Sequence, residues 1–408
     1  MINNTRVWIQ GRYHKILNSI AFYPAFIGLS FLVISYLTIS FDFSEMGKQI
    51  KANLPPYTSL KDASTARSII SAITSGVISL TVFSFSMVMI ILSQAASQMS
   101  NRVLNRLIGN RFQQVVLGIY IGTIVYSLFL LSTIRDIDSG IYIPALSTYL
   151  LILLTIFDIF LFIYFLHYVT QSIKYEVIIQ RVYNETRKRL EDACGLARPA
   201  SKLIELLGNH YVIANSSGIY EGFDKETLLG LADDEDCLFY TLHTPGTFVL
   251  QGQPLLQASK PISEDTHDKA ARGLRINDSE SIEENYAYGL RQLSEVAVKA
   301  LSPGVSDPGT AIISLRALAQ LFAYRLTHFP DNVVRNKGQQ VRIMVQELTY
   351  ETIFRKTVLP IWDYGKEDRT VQDEMQHLLT QLQSISPQPV TGRLLRDVLL
   401  KVAQQELI

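Results

Sequence analysis

Apolar residues run without interruption by charge at four places in the first 173 residues. These windows are residues 16–41, 68–101, 112–134 and 139–173, and only Asp158 interrupts the last of them. Each window is longer than the roughly 20 residues that an α-helix needs to cross about 30 Å of hydrocarbon. The pattern therefore predicts four transmembrane helices, near residues 18–40, 69–93, 113–134 and 143–168.

The pattern changes after Lys174. Short β-prone runs separated by Gly, Asn and Pro turns fill residues 208–262, whereas apolar positions recur with helical spacing from residue 281 onward. We predict a membrane α-helical domain with four transmembrane helices, followed by an α+β cytoplasmic region with a small β-rich subdomain and a helical subdomain. The predicted boundaries are 1–173 for the transmembrane domain, 174–207 for a helical stalk, 208–275 for the β-rich subdomain and 276–408 for the helical subdomain.

Charge separates the same two parts of the chain. The formal net charge of zero over 408 residues is a cancellation, because residues 1–173 carry +5 and residues 174–408 carry −5. If the N-terminus is inside, eleven Lys and Arg residues near the span ends lie on the cytoplasmic side and five on the other. This excess predicts a multi-pass protein of the bacterial inner membrane with both termini cytoplasmic. No strongly basic domain is present, so a nucleic-acid partner is not expected.

Few residues suggest catalysis. The two cysteines, Cys194 and Cys237, lack metal-ligand or redox-motif spacing, so reduced thiols are expected and no metal site or cofactor is predicted. The histidines are scattered, and no phosphate loop or catalytic triad order is present. We therefore predict that the chain is not an enzyme.

A serine stripe is the main feature of the second span. Its members recur at steps of three, four or seven residues and fall within an arc of about 100° on a helix. They are Ser68, Ser71, Ser75, Ser79, Ser86, Ser93, Ser97 and Ser100. Small hydroxyl residues allow close helix packing, and they also suit the wall of a water-filled pathway in an oligomer. Both interpretations remain open, and Ser71 to Ser93 are the candidate pathway residues.

Two further features mark the later spans. Gly118 and Gly122 form a GxxxG pair, which predicts a close crossing with another helix. Asp158 falls near the middle of the fourth span, where an ionisable group is costly and is a functional candidate by default. It is interpreted either as a hydrogen-bonded structural carboxyl or as part of an ion or proton pathway.

A Pro-rich motif joins two predicted helices in the C-terminal half. The run from Leu301 to Ala311 reads LSPGVSDPGTA, in which Asp307 before Pro308 predicts an N-cap with proline at the first helical position. Polar residues expected to converge around this turn are Arg291, Glu295, Ser302, Ser306, Asp307, Thr310 and Arg316. An Arg–Asp clamp that fixes the turn explains them, as does a small-ligand or anion site at the helix N-terminus, and an enzyme active site is the third alternative.

The motifs resemble a bacterial family of predicted membrane proteins, the domain of unknown function 2254. The resemblance is carried by Gly289-Leu290-Arg291, by the run from Ala300 to Ala311, by Pro245-Gly246 and by the serine-rich span. Family members generally have Asn where this chain has Ser306, and Asp where it has Asn285. The resemblance implies a membrane architecture and no established chemistry.

Two hypotheses of function follow. The first is an oligomeric ion channel or permeation protein, a homo-oligomer in the lipid bilayer with a Ser-lined second helix and a cytoplasmic regulatory domain. It would take a small ion or ligand. The alternative is a membrane-anchored cytoplasmic sensor or scaffold without transport activity, and a membrane-bound enzyme ranks third. The serine stripe and Asp158 favour the first, whereas the motif near Arg291 and Asp307 would carry function in the second.

Overall fold

A computed structural model of the chain describes residues 22–53, 60, 62–98, 111–134, 143–172, 174–199 and 209–406. The N-terminal helices are α1 (Phe22–Asp42), α2 (Glu45–Ala52), α3 (Ala63–Gln98), α4 (Arg111–Thr133) and α5 (Ala145–Ser172). Four of them, α1, α3, α4 and α5, are long and apolar enough to cross a membrane. The prediction of four apolar helices at the N-terminus is therefore confirmed, and the chain divides into two compact units, Met1–Lys174 and Tyr175–Ile408.

Helix α4 is the centre of the N-terminal unit. Within its apolar window 44% of the residues are buried, against 17% in each of the other three spans. Its residues Tyr126 and Leu130 pack with Ile70 of α3 and Leu151 of α5 in one apolar cluster. A second cluster joins Tyr120 of α4 to residues of α3 and α5. The outer helices consequently expose long apolar faces, as expected of a unit whose solvent is lipid.

The C-terminal unit contains two small sheets. The strands are β1 (His210–Ile213), β2 (Gly218–Phe223), β3 (Phe239–Thr241), β4 (Thr247–Val249), β5 (Pro254–Ala258), β6 (Leu274–Asn277), β7 (Val333–Arg335) and β8 (Val341–Met344). Five strands form one sheet in the order β1-β5-β3-β8-β7, and three form another in the order β4-β2-β6. Only the β3–β8 pair is parallel among the described strands. Leu256, Phe239 and Ile343 are fully buried in the core beneath the larger sheet.

Helices make up the rest of this unit. They are α6 (Tyr175–Ala193), α7 (Lys225–Asp234), α8 (Glu264–Gly273), α9 (Tyr286–Ala300), α10 (Pro308–Thr327), α11 (Tyr350–Thr357), α12 (Leu359–Gly365), α13 (Arg369–Ile385) and α14 (Pro389–Glu406). The larger sheet contains strands from two separate stretches of the sequence. Strands β7 and β8 lie between α10 and α11 in the chain, and they complete the sheet that begins with β1. Mixed helical and small-sheet structure thus follows the four spans.

Helix α6 occupies the segment expected to be a stalk. It belongs to the C-terminal unit, where it packs on α9 and α10 and buries Val182, Thr186 and Leu190. Gly289 of α9 allows this close approach, because a Cβ atom at that position would overlap the side chain of Thr186. The segment is therefore an integral helix of the unit.

Candidate functional site

The predicted serine stripe lies on an outward face of the N-terminal unit. Six of its members have described side chains, and all six are exposed: Ser68, Ser71, Ser75, Ser79, Ser86 and Ser93. Helix α3 turns its opposite face, which includes Ile70, Thr74 and Ser84, towards the other helices of the unit. Ser97 and Ser100 lie outside the residues whose side chains the structure describes. We call the six exposed serines the serine face.

The serine face presents oxygen atoms between apolar side chains. Ser79 donates its hydroxyl proton to the carbonyl of Ser75 at 2.9 Å, which satisfies the donor inside the helix and leaves the oxygen lone pairs at the surface. Val82 and Met89 fall within the same arc of the helix, and they are 60% and 51% exposed. The face therefore alternates hydroxyl and apolar positions along the depth of the membrane.

Asp158 lies elsewhere, inside the helix bundle. Its side chain is fully buried on α5, and Thr123 and Tyr120 of α4 are its polar neighbours. Neither carboxylate oxygen has a hydrogen-bond partner in the described part of the chain, and the same is true of the Tyr120 and Ser84 hydroxyls. Ser84 is on the buried face of α3, so the structure places Asp158 apart from the serine face. The two sets of predicted pathway residues do not form one surface within the chain.

Gly118 and Gly122 lie where α4 crosses α1. A Cβ atom at Gly118 would come within 2.7 Å of Ile27, and one at Gly122 within 2.6 Å of Phe31. The absence of a side chain at both positions lets the two helices approach closely. One turn further along α4, the Tyr126 hydroxyl lies 3.0 Å from that of Thr38 and stabilises the same crossing.

Asp42 is a buried carboxylate that the sequence pattern did not single out. It is the last residue of α1, and one of its oxygens lies 3.0 Å from the ammonium of Lys51 on α2. The other accepts a hydrogen bond of 2.7 Å from the backbone N–H of Ser147 in the first turn of α5. A negative charge is favourable at a helix N-terminus. Asp42 therefore ties three helices together at one end of the unit.

The Pro-rich motif forms a capped turn in the C-terminal unit. Asp307 accepts hydrogen bonds from the backbone N–H and the hydroxyl of Thr310, at 3.1 and 2.6 Å, and this confirms the predicted N-cap with Pro308 in the first turn. Ser302 donates to the carbonyl of Lys299 at 2.7 Å. Ser306 has a φ of 50°, a left-handed conformation. Because the Asp307 carboxylate already occupies the start of α10, a bound anion there would meet a like charge.

The predicted Arg–Asp clamp is wrong, since both arginines pair with other acids. Arg291 forms an ion pair with Glu280, whose side chain is only 6% exposed. Arg316 holds Glu374 of α13 through two hydrogen bonds, at 2.9 and 2.8 Å. Glu295 lies partly buried on α9. The motif residues therefore spread over several contacts instead of converging on one site, and nothing in their spacing revealed Glu280 or Glu374.

A cavity of 260 Å³ lies beside Arg291. Its wall is formed by the loop before β4, by α9 and by α11, and it is lined by Thr244, Pro245, Gly246, Thr247, Phe248, Ala287, Arg291, Leu348, Ile353, Lys356 and Thr357. Gly246 has a φ of 88°, and a Cβ atom there would lie 2.5 Å from a Glu280 oxygen and 2.7 Å from the Asn285 amide. The Pro-Gly pair of the loop and Arg291 are thus neighbours at this cavity.

A second charged cluster lies in the same unit, where Arg325 is buried and Glu347 and Arg189 are partly buried. Burial raises the pKa of Glu347 to about 7, although Arg325 and Arg189 nearby act in the opposite direction. The thiols of Cys194 and Cys237 are fully buried, and burial raises the pKa of each to about 11. Both thiols therefore stay protonated near neutral pH and are poor nucleophiles. Among the described residues no group of three His, Cys, Asp or Glu side chains is placed to hold a metal ion.

The fold and these features define a membrane protein with four apolar helices followed by a mixed α and β unit. The model of a family described as Predicted membrane protein (DUF2254) matches residues 17–381, and the chain belongs to this family. An uncharacterized protein of Mycobacterium bovis (Mb1321c) and one of Mycobacterium tuberculosis (Rv1290c) are each 25% identical over 330 residues. These matches cover 77% of this chain and 63% of each relative, so the chain spans less than two thirds of their length. No solved structure matches the chain.

Proposed function

We propose that the chain assembles into a homo-oligomeric permeation protein in which the serine face of α3 lines a central pathway for a small ion. The observation that carries the proposal is the exposure of all six described serines on a membrane helix whose buried side faces its own bundle. Hydroxyl oxygens can replace part of the hydration shell of an ion, whereas lipid tails give them no partner. A second copy that supplies the same face would remove the serines from lipid.

The proposal assigns a role to the apolar side chains within the face. Val82 lies between Ser79 and Ser86 along the helix, and its side chain is 60% exposed. An apolar ring at this depth would resist wetting and form the main barrier to a permeating ion. Ion flux should therefore depend on the polarity of residue 82 and on the space available at residue 79.

Flux measurements on the full chain in liposomes test this pathway. We expect Val82→Ser to increase flux and Ser79→Phe to abolish it. A matched control is Ile163→Phe on α5, which adds a ring at a side chain that is 59% exposed but lies off the serine face. Absence of flux in the unmodified protein under voltage, tension and ion gradients would refute the proposal, as would equal loss in both Phe variants.

Assembly has its own test. Ser79→Cys should form a disulfide-linked dimer in native membranes under mild oxidation, because copies of α3 would face one another. Ile163→Cys should remain monomeric under the same conditions. Cys194 and Cys237 are fully buried and do not interfere. Cross-linking at residue 163 alone would place the contact on another face.

The excess of Lys and Arg at alternate span ends supports an inner-membrane location with both termini in the cytoplasm. Two reporters fused after residue 406 test this orientation. We expect activity from a reporter that works only in the cytoplasm, and none from a reporter that works only after export. Activity of the exported reporter at that position would contradict the proposed orientation.

The cavity beside Arg291 favours a second candidate, a membrane-anchored sensor or scaffold without transport. In that case bulky substitutions on the serine face should be tolerated, and function should depend on the cavity residues of the C-terminal unit instead. Expressing Ser79→Phe or Lys356→Gln in a strain that lacks the gene separates the two candidates. A permeation protein should lose its function with Ser79→Phe, whereas a sensor or scaffold should lose it with Lys356→Gln.

A further inference from the structure

The cavity beside Arg291 has two cationic side chains in its wall and one acid next to it. Arg291 contributes a guanidinium, Lys356 contributes an ammonium at the end of α11, and Glu280 pairs with only one guanidinium nitrogen. Among the ion pairs of the described residues none involves Lys356. The cavity therefore retains a net positive charge, which favours an anion.

One donor of the Arg291 guanidinium has no acceptor among the described residues. The Nε atom of Arg291 is buried and has no hydrogen-bond partner in the described part of the protein. A charged donor that is removed from water without an acceptor is costly, so the guanidinium of Arg291 is only partly compensated by Glu280, and negative charge in the cavity beside it would be favourable. The hydroxyls of Thr244 and Thr247, which lie 3.3 Å apart in the loop, add polar atoms on the facing side.

The size of the cavity limits the ligand. A volume of 260 Å³ is well above what a single water occupies and just below the range of about 300–1,000 Å³ typical of drug-sized ligands. Pro245 and Gly246 form part of the wall with little side-chain bulk. The absence of a Cβ atom at Gly246 lets the loop backbone lie against Glu280 and Asn285, which fixes the loop over Arg291.

We propose that this cavity is a binding site for a small oxyanion, a phosphate or carboxylate group, held between Arg291 and Lys356. A guanidinium and an ammonium are the side chains that bind such groups most strongly, through charge-assisted hydrogen bonds. The site lies wholly within the C-terminal unit, so the inference holds whether or not the N-terminal unit conducts ions.

Equilibrium dialysis of the full chain in detergent, with labelled inorganic phosphate and labelled citrate as probes, tests the site. Chloride at equal ionic strength corrects for unspecific attraction. We expect saturable binding of at least one probe, and a loss of affinity of about tenfold or more in Arg291→Gln and in Lys356→Gln. Lys356 is exposed and outside any described ion pair, so its variant should keep the native melting temperature.

The matched control is Arg355→Gln. Arg355 is the neighbour of Lys356 in sequence, but it pairs with Glu351 at 2.9 Å and does not line the cavity. Binding that survives in Arg355→Gln and disappears in Lys356→Gln supports the site. The proposal is overturned if neither probe binds the unmodified protein, or if the two variants weaken binding equally.

Discussion

The two units of this protein use polar side chains in opposite ways. In the N-terminal unit, the serine face is exposed, and the buried carboxylate of Asp158 has no hydrogen-bond partner among the described residues. In the C-terminal unit, acids are paired with bases from distant parts of the chain, as in Arg316–Glu374 and Arg342–Asp233. Ion pairs between distant segments are common in the C-terminal unit, whereas in the described part of the spans the serine face is exposed and the Asp158 carboxylate lacks a hydrogen-bond partner. The two units therefore differ in the kind of polar contact they use, although both contain buried polar atoms without a hydrogen-bond partner among the described residues.

The two units also differ in the way their helices and strands pack. The spans approach each other through residues without side chains, such as Gly118 and Gly122 on Ile27 and Phe31. Inside a membrane the hydrophobic effect does not favour helix–helix contact over helix–lipid contact. Close van der Waals packing therefore has to determine which helices associate. In the C-terminal unit apolar burial from water is available, and it stabilises the core around Phe239 and Ile343.

Asp42 is the exception within the N-terminal unit, and its removal should have the largest effect. Asp42→Ala leaves the ammonium of Lys51 and the N–H of Ser147 without their acceptor. We expect a loss of about 3–5 kcal/mol in the free energy of unfolding, which is typical when one partner of a buried ion pair is removed. Thermal unfolding in detergent measures it. Asp62→Ala is the control, since Asp62 is an exposed cap of α3, and an equal loss in both variants would contradict the ion-pair role of Asp42.

Glu347 is the exception within the C-terminal unit, because its charge is poorly compensated. Its pKa is raised from 4.5 to about 7 by burial, so the folded state binds its proton more tightly than the unfolded state does. The stabilisation is therefore present in full below about pH 4.5 and is lost as the pH rises to about 7, by roughly 3 kcal/mol.

The melting temperature between pH 4.5 and pH 7.5 tests this dependence. Glu347→Gln keeps the shape of the side chain without a titrating proton, so its melting temperature should fall less across this range than that of the unmodified chain. Glu235→Gln serves as a control, because hydrogen bonds from Thr266 and Ser263 lower the pKa of Glu235 instead. A steeper fall of the melting temperature in Glu347→Gln than in the unmodified chain would contradict the raised pKa of Glu347.

Substitution of Ser306 should have the smallest effect on stability, because only its backbone conformation is involved. Its φ of 50° is a conformation that Asn adopts more readily than Ser. We expect Ser306→Asn to raise the stability of the chain by up to about 1 kcal/mol. Ser302→Asn is the control at a nearby position of the same turn. Destabilisation by Ser306→Asn would show that the serine hydroxyl, rather than the backbone, determines this position.

The two positions expected to depart from the family pattern, Asn285 and Ser306, both have a backbone role in the structure. Asn285 caps α9 by accepting a hydrogen bond of 3.0 Å from the N–H of Ala287, a role that Asp fills equally well. Ser306 lies at a left-handed position, where Asn is preferred. Each residue therefore fits the backbone conformation or the cap at its position.

Local features of the sequence could be predicted because they depend on neighbours along the chain. The apolar windows determined the four spans, since their length must match the bilayer. The Asp307-Pro308 pair determined the start of α10, because the carboxylate bonds to a backbone N–H three residues on. The serine spacing likewise put the hydroxyls on one side of α3.

The direction of each face was decided only by the tertiary structure. Helical spacing put the serines on one side of α3, but packing on α4 and α5 turned that side outward and left Asp158 inside. The partners of Arg291 and Arg316 depend on how distant segments come together, because Arg316 pairs with Glu374, 58 residues away, although Asp307 is nearer in the sequence. The cavity at Arg291 is likewise made by three elements that meet only in the folded chain, because a helix period fixes angles within one element and never the element that it faces.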